Sequence, residues 1–324
     1  SIKTEESNNV SKNSLRELYE QKLQNSLAKD NFDRAENMIS ALKIISDLEK
    51  GVPFKTEHFE GWEKELLSDM QTYDIKTDME DLHLSATAIE TYQSCPLKYR
   101  LSFQDKVPES ASKPQMAFGS IIHKVLQRFH EPGKNLTEER ILRLLNEEWK
   151  HDEFDYSARE EKFREQGVSI LIEYTKQTIE NPPTVLSREH PFEFTVNTNI
   201  FIRGKIDRID ETENGPSVID YKTSKTPSSA KKNIQLAVYC LYLSQAVEEK
   251  IKGIPSSASL YFLRETKEPL STHSFSDDEL NVTKNIILDI AGKIRNNLFD
   301  PEKGYHCNWC DYKHLLCPQW ETKV

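Results

Sequence analysis

Three side chains in this sequence are spaced for chemistry: Asp207 in Gly204-Lys-Ile-Asp207-Arg, and Asp220 with Lys222 in Val218-Ile-Asp220-Tyr-Lys222. Residues two apart on a strand leave the same face, so Asp220 and Lys222 sit one rung from each other. A hairpin joining strands predicted at 200–210 and 217–223 brings Asp207 onto that face as well. Two carboxylates and a main-chain carbonyl make a hard-oxygen site for Mg or Mn, with water at the remaining positions. Such an ion polarises a phosphoryl oxygen and lowers the pKa of water, while a nearby lysine positions that water or balances transition-state charge. An Asp-x-Lys pair on a strand is more often an exposed ion pair, but the Val218-Ile219 run before it predicts the lip of a buried sheet. Asp210 is a fallback for Asp207, weaker because it falls nearer the turn at Glu213-Asn-Gly215-Pro.

Other groups can serve the same point. His123, after Gly119-Ser-Ile-Ile in a predicted helix, offers an imidazole ligand, although a lone helical histidine is more often structural. Gln235 and Tyr239 form an i,i+4 pair on a later helix, placed to hold a phosphate and the lysine. A second constellation is made of sulfur: Cys95 stands alone, and Cys307, Cys310 and Cys317 cluster near the C-terminus. A Cys-x2-Cys turn presents two thiolates at once, and one distant cysteine closes a four-sulfur centre around an ion or a cluster. That centre clamps the ends of the segment that carries the carboxylates. Tyr305, Trp309, Tyr312 and Trp320 are expected around it, and Cys240, among apolar neighbours, in the core.

The elements that must position these groups follow from periodicity. Leu15, Leu18, Tyr19, Leu23 and Leu27, then Ala35, Met38, Ile39, Leu42, Ile45 and Leu48, predict a helical hairpin broken at Gly51-Val-Pro53. Residues 1–80 are read as a helical accessory segment and 81–324 as the catalytic domain. Ser85 is placed to cap a helix over Ala86–Ser94. Helical spacing returns over 115–130, 138–150 and 158–180, where Pro182-Pro183 stops it. The period then becomes two: strands at Phe192–Val196, Ile200–Ile209 and Ser217–Tyr221 form a meander. An amphipathic helix over Lys231–Ala246, a strand at Ala258–Leu263 and a helix over Asp277–Asn297 complete an α/β sheet flanked by helices.

Composition narrows the class. At 324 residues, with 36% hydrophobic and 30% charged side chains, the chain suits one large domain and an accessory segment. No apolar run approaches the ~20 residues that span a bilayer, so no membrane partner is expected. The polar start without Met predicts a fragment of a longer chain. An odd five cysteines, grouped for ligation rather than pairing, favour a reducing, cytoplasmic setting. The formal charge of -10 argues against nonspecific attraction to a polyanion, although a carboxylate metal site is acidic by construction. No Gly-x4-Gly-Lys-Ser/Thr loop occurs, so this chain is not itself an ATP motor.

Over 84–320 the sequence resembles the RecB-type branch of the PD-(D/E)xK nucleases, and within it the iron-sulfur subset that includes the AddB nuclease domain and the CRISPR-associated exonucleases. Leu84-Ser-Ala-Thr-Ala-Ile-Glu-Thr-Tyr-Gln-Ser-Cys95-Pro96 is similar to the family's opening helix with its first cluster cysteine, and Phe118-Gly119-Ser-Ile-Ile-His123 to its histidine motif. Gly204-Lys-Ile-Asp207-Arg and Ile219-Asp220-Tyr-Lys222-Thr resemble the two halves of the catalytic signature, and Gln235-Leu-Ala-Val-Tyr239 the Gln-x-x-x-Tyr element. The Cys310-x6-Cys317 spacing is one residue longer than the family's common form.

The resemblance implies a restriction-endonuclease-like mixed sheet and a metal-dependent DNA nuclease, with exonuclease action on ends or single strands, joined to a helicase. It implies that His123, Asp207, Asp220 and the Tyr221 carbonyl bind Mg or Mn, that Lys222 assists the attacking water, and that Cys95, Cys307, Cys310 and Cys317 hold a 4Fe-4S cluster. Two rivals stand beside it: a DNA-binding scaffold with a vestigial site, and a zinc-bearing interaction domain. An unmatched catalytic position would favour the first, and a colourless protein the second.

Overall fold

The computed structural model describes residues 14–49, 61–70, 80–109, 114–154, 156–248, 251 and 253–320. They fall into two compact units, one of 1–82 with 197–199 and the other of 83–196 with 200–324. In the first, Ser14 and Glu17 form a capping box that starts α1 (Leu15–Leu27), and α2 (Phe32–Glu49) follows. A third helix that periodicity did not suggest, α3 (Trp62–Met70), adds Leu66 to a core of Leu15, Tyr19, Met38, Ala41 and Ile45. Lys22 ties it down through Glu65 and Asp69 at 2.7 and 2.6 Å. Leu27 and Ile39, expected on the apolar stripes, are exposed, because so small a unit buries only one narrow face of each helix. The break expected at Gly51-Val-Pro53 lies outside the described residues.

The second unit begins at β1 (Leu82–Leu84), which straddles the division. Ser85 then caps α4 (Ala86–Ser94) by accepting from the Ala88 N–H. Cys95 is extended, and Pro96, rather than ending the helical run, starts α5 (Pro96–Tyr99) at the position where a missing N–H costs nothing. Helices α6 (Pro114–Phe129), α7 (Glu138–Glu148) and α8 (Ser157–Glu180) occupy the three segments that helical spacing marked. The sheet follows: β2 (Thr184–Asn197), β3 (Ile200–Thr212), β4 (Gly215–Lys222), then α9 (Ile234–Gln245), β5 (Ser257–Phe262), β6 (Leu270–His273) and α10 (Asp277–Arg295).

The strand order is β1-β3-β4-β5-β6, with β2 also paired to β3. β3 and β4 are antiparallel, β4 and β5 parallel, and β5 and β6 antiparallel, so α9 is the crossover that parallel pairing demands. β4 is buried from Ser217 to Tyr221, as expected of a central strand covered on both faces. One cover is the core formed by Phe118, Ile122 and Leu126 of α6 with α7 and α8 against Ile219, Tyr221, Tyr261 and Leu263.

Two expectations need correction, and one strand went unread. β2 begins at Thr184, directly behind Pro183, and not at Phe192; its first half carries charged and polar residues that hide the strand alternation. α9 is not amphipathic: every residue from Leu236 to Leu241 is buried, because a crossover helix is enclosed by the elements around it. β6 is too short, at four residues, to register a period.

Candidate active site

β3 and β4 bring the acidic pair together. Arg208 lies opposite Ile219, which sets Asp207 beside Asp220 one step further along the ladder. Asp207 accepts through Oδ2 from the Tyr221 N–H at 2.8 Å. Through Oδ1 it meets His123 Nδ1 at 3.3 Å, while His123 Nε2 donates to the Tyr221 carbonyl at 3.0 Å. The imidazole of α6 therefore bridges one carboxylate and one main-chain oxygen. Burial by itself would lower the His123 pKa, but the hydrogen bond to Asp207 and the charges of Asp207, Asp220 and Glu189 outweigh it and raise it to about 9. As an imidazolium, His123 supplies the positive charge that these oxygens otherwise lack.

Asp220 is 1% exposed, deeper than the lip of the sheet where the sequence placed it. Burial, together with the charge of Asp207, pushes its pKa up to about 6, against the opposing pull of Lys222 and His123. Lys222 Nζ lies 2.7 Å from Asp220 Oδ2, so the buried carboxylate is paired with the ammonium at the site. The lysine also donates to Gln235 Oε1 at 2.8 Å, and Gln235 Nε2 donates to the Tyr239 hydroxyl at 2.6 Å. The i,i+4 pair on α9 thus grips the ammonium through a chain of hydrogen bonds. Burial holds the Tyr239 phenol well above its ordinary pKa, so it stays neutral.

Phe192 completes the wall behind Tyr239, meeting its ring edge-on at 5.7 Å. Gly204 makes this possible, since a Cβ there would fall 2.9 Å from the Phe192 ring. The glycine of the Gly-x-x-Asp motif is a matter of close packing across β2 and β3.

One residue of the cluster was missed from the sequence. Glu189 on β2 brings a carboxylate oxygen within 4.8 Å of ligand atoms of both His123 and Asp207. Its φ of 45° lies in the left-handed region, rare for a glutamate and stored strain of about 1–3 kcal/mol. The only sequence signal was an acidic residue in Ser187-Arg-Glu-His190, hidden because the strand was expected to begin later.

Asp210, the fallback, belongs elsewhere. It faces the opposite side of β3 with Arg208, whose Nη2 lies 2.9 Å from Asp210 Oδ2 and whose Nε donates to the same oxygen at 3.1 Å. Arg208 Nη1 also donates to the hydroxyls of Tyr174 and Tyr221 at 2.6 and 2.7 Å and to His130 Nε2 at 3.2 Å. Burial, reinforced by the charge of Arg208, depresses the His130 pKa to about 3, so the imidazole is a neutral acceptor. Tyr221 therefore has its carbonyl in the acidic cluster and its phenol in this clamp.

The donor set fits a hard divalent cation. Ligand atoms of Asp207, Glu189 and His123 lie within 4.8 Å of one another, the Tyr221 carbonyl meets His123, and a third carboxylate, Asp220, stands beside Asp207 on the ladder. The cysteines fit their expectation less well. Cys95 and Cys307 are buried and Cys310 and Cys317 half-buried, yet among the described residues no three cysteine sulfurs lie within 4.8 Å of one another. The structure thus does not show the expected four-sulfur staple. Burial raises the Cys310 pKa, and Cys95 and Cys307 are near enough to raise it further. Tyr312 is buried and donates to the Val107 carbonyl at 2.8 Å, but Tyr305 and Trp309 are exposed, their rings meeting edge-on at 4.6 Å. Cys240 is in the core, its thiol pushed up to about 12 by burial.

Comparison with known proteins adds independent information. A family model described as the PD-(D/E)XK nuclease superfamily matches residues 83–318. An ATP-dependent helicase/deoxyribonuclease subunit of Streptococcus agalactiae is 29% identical over 232 residues, 67% of this chain and 21% of that protein. The protein of the same name from Streptococcus uberis is 27% identical over 282 residues, 76% of this chain and 25% of the relative. The chain thus spans a fifth to a quarter of the length of these relatives.

Proposed function

The chain belongs to the PD-(D/E)XK nuclease superfamily, and we propose that it is a Mg- or Mn-dependent deoxyribonuclease that hydrolyses DNA phosphodiesters at ends or in single strands. The observation that carries this reading is the excess of carboxylate at one end of the β3–β4 pair, with a single ordered ammonium beside it. Asp207, Asp220 and the Tyr221 carbonyl would hold the ion, with Glu189 closing the site and His123 joining it on releasing the proton that it carries in the ion's absence. The bound ion supplies Lewis-acid polarisation of the phosphate and a lower pKa for water. Lys222, gripped by Gln235, orients the attacking water and offers positive charge to the pentavalent phosphorus as negative charge develops on its oxygens. Gln235 and Tyr239 fix that lysine; their side chains meet each other and the lysine, and no phosphate role is needed to explain them.

The relatives' names couple a deoxyribonuclease to an ATP-dependent helicase, and this chain covers only a part of them. A helicase as partner, on the same chain or another, exonuclease action and an intracellular setting belong to the same proposal. Among the described residues no helix is long and apolar enough to cross a membrane. A 4Fe-4S cluster on Cys95, Cys307, Cys310 and Cys317 belongs to the same proposal, which the Cys310 thiol supports by lying within electrostatic reach of Cys95 and Cys307.

The deciding experiment is cleavage of end-labelled linear and of circular single-stranded DNA with Mg, Mn or EDTA. Ion-dependent loss of the linear substrate with the circle spared supports the full reading. Cutting of the circle moves the assignment to an endonuclease, and no ion-dependent cutting of either removes it.

A further inference from the structure

Arg264 lies in the turn that follows β5. The residue before it, Leu263, donates its N–H to the Lys222 carbonyl at 3.0 Å, so Arg264 stands on the rim formed by the C-terminal ends of β4 and β5. Its guanidinium lies over the ring of Phe118, 5.9 Å from the centroid, one and a half turns before His123 on α6. Gly119, next to Phe118, packs against the Thr223 hydroxyl, which follows Lys222 in sequence. The arginine therefore lies beside the helix that carries His123 and close to the backbone at Lys222.

What sets it apart is a buried donor without an acceptor: its Nε has no hydrogen-bond partner among the described residues. Burial lowers its pKa, and no neighbouring charge acts in either direction. By contrast Arg16, Arg128, Arg140, Arg188 and Arg208 each donate to a carboxylate or a main-chain carbonyl. A half-buried cation without a counter-charge is costly, and a ligand that brings the charge removes the cost. A guanidinium has its donors in a planar fork, a geometry that suits two oxygens of one phosphate.

We infer that Arg264 is a binding residue for a phosphodiester of the DNA strand as it enters the site, supplying anion recognition that the acidic cluster cannot. The inference rests on the nuclease reading and adds the residue through which an acidic protein holds a polyanion at its catalytic rim.

The test measures binding of a labelled single-stranded oligonucleotide to the full chain in EDTA, across a salt series, by fluorescence anisotropy. Arg264→Met keeps the cover over Phe118 and removes the charge. It is expected to weaken binding roughly tenfold and to reduce the slope of log K against log salt by about 0.7, the share of one phosphate on a single strand. Arg264→Lys is expected to restore the slope, and the melting temperature of the Met variant to hold or rise. An unchanged affinity and slope in Arg264→Met overturns the inference. So does an affinity loss that comes with a lowered melting temperature and is not reversed by lysine, because Arg264 is then only a lid on Phe118. A wild-type chain that neither binds DNA nor cuts it with Mg or Mn overturns the nuclease reading, and the inference with it.

Discussion

The two faces of the β3–β4 pair carry polar clusters of similar size and opposite character. On one face Arg208 reaches Asp210, Tyr174, Tyr221 and His130. Nearly every donor and acceptor there is matched, with one Asp210 oxygen left over. On the other, Asp207, Asp220 and Glu189 share one ordered lysine and an imidazolium. A buried network with its charges balanced rigidifies a fold, whereas one short of positive charge waits for a cation. The strand alternation that separates the faces also joins them at Tyr221, whose phenol serves one and whose carbonyl serves the other.

The largest effect is expected on the matched face. Arg208→Met strands the Asp210 carboxylate in the core and should cost about 3–5 kcal/mol of stability. Urea melts check it, and a loss below about 1 kcal/mol would mean the clamp is not structural. On the charge-deficient face the sign of the stability change reverses. Lys222→Ala should lower kcat by about 10²–10³-fold. Asp220→Asn should also abolish cleavage, yet raise the melting temperature in EDTA, because it relieves repulsion with Asp207 and removes a buried charge. Steady-state kinetics and calorimetry on the same preparations give both readings. An Asp220→Asn variant that melts lower would erase the contrast between the faces.

The third test is pH. The folded pKa of His130 is depressed to about 3, against about 6.5 for the unfolded chain. Between those values the unfolded state takes up a proton that the folded state refuses, so this group's contribution to stability is intact above pH ~6.5 and declines as pH falls, by about 1.4 kcal/mol per unit. His130→Gln should flatten the profile, and parallel curves for the two proteins would remove His130 from the account. The smallest effect is at the residue the sequence hid: Glu189→Gln should raise the Mn concentration needed for half-maximal cleavage by about tenfold, or 1.4 kcal/mol. An unchanged requirement would make Glu189 a strained bystander.

Legibility followed sequence distance. The cap at Ser85, the bounds of α4 and the three helices between 114 and 180 were readable because capping and apolar spacing act within a few residues. The second strand pair was readable for the same reason, and with it the shared face of Asp220 and Lys222. The first half of β2 was not, since charged residues drawn to the site broke its alternation. Neither were the clamp and the unpaired Arg264, whose meaning lies in contacts or missing contacts with distant segments.

By itself, then, the sequence determined which residues could ligate and which side of a strand they would leave, because a backbone period of two needs no partner. Only the tertiary structure decided how much water each would keep. It buried Asp220 against Asp207, set Glu189 beside His123, turned Asp210 away into the clamp, and left Arg264 without a counter-charge. The reason is that desolvation and charge balance depend on groups brought together from far along the chain, and these two quantities, more than residue identity, separate a structural ion pair from a reactive one.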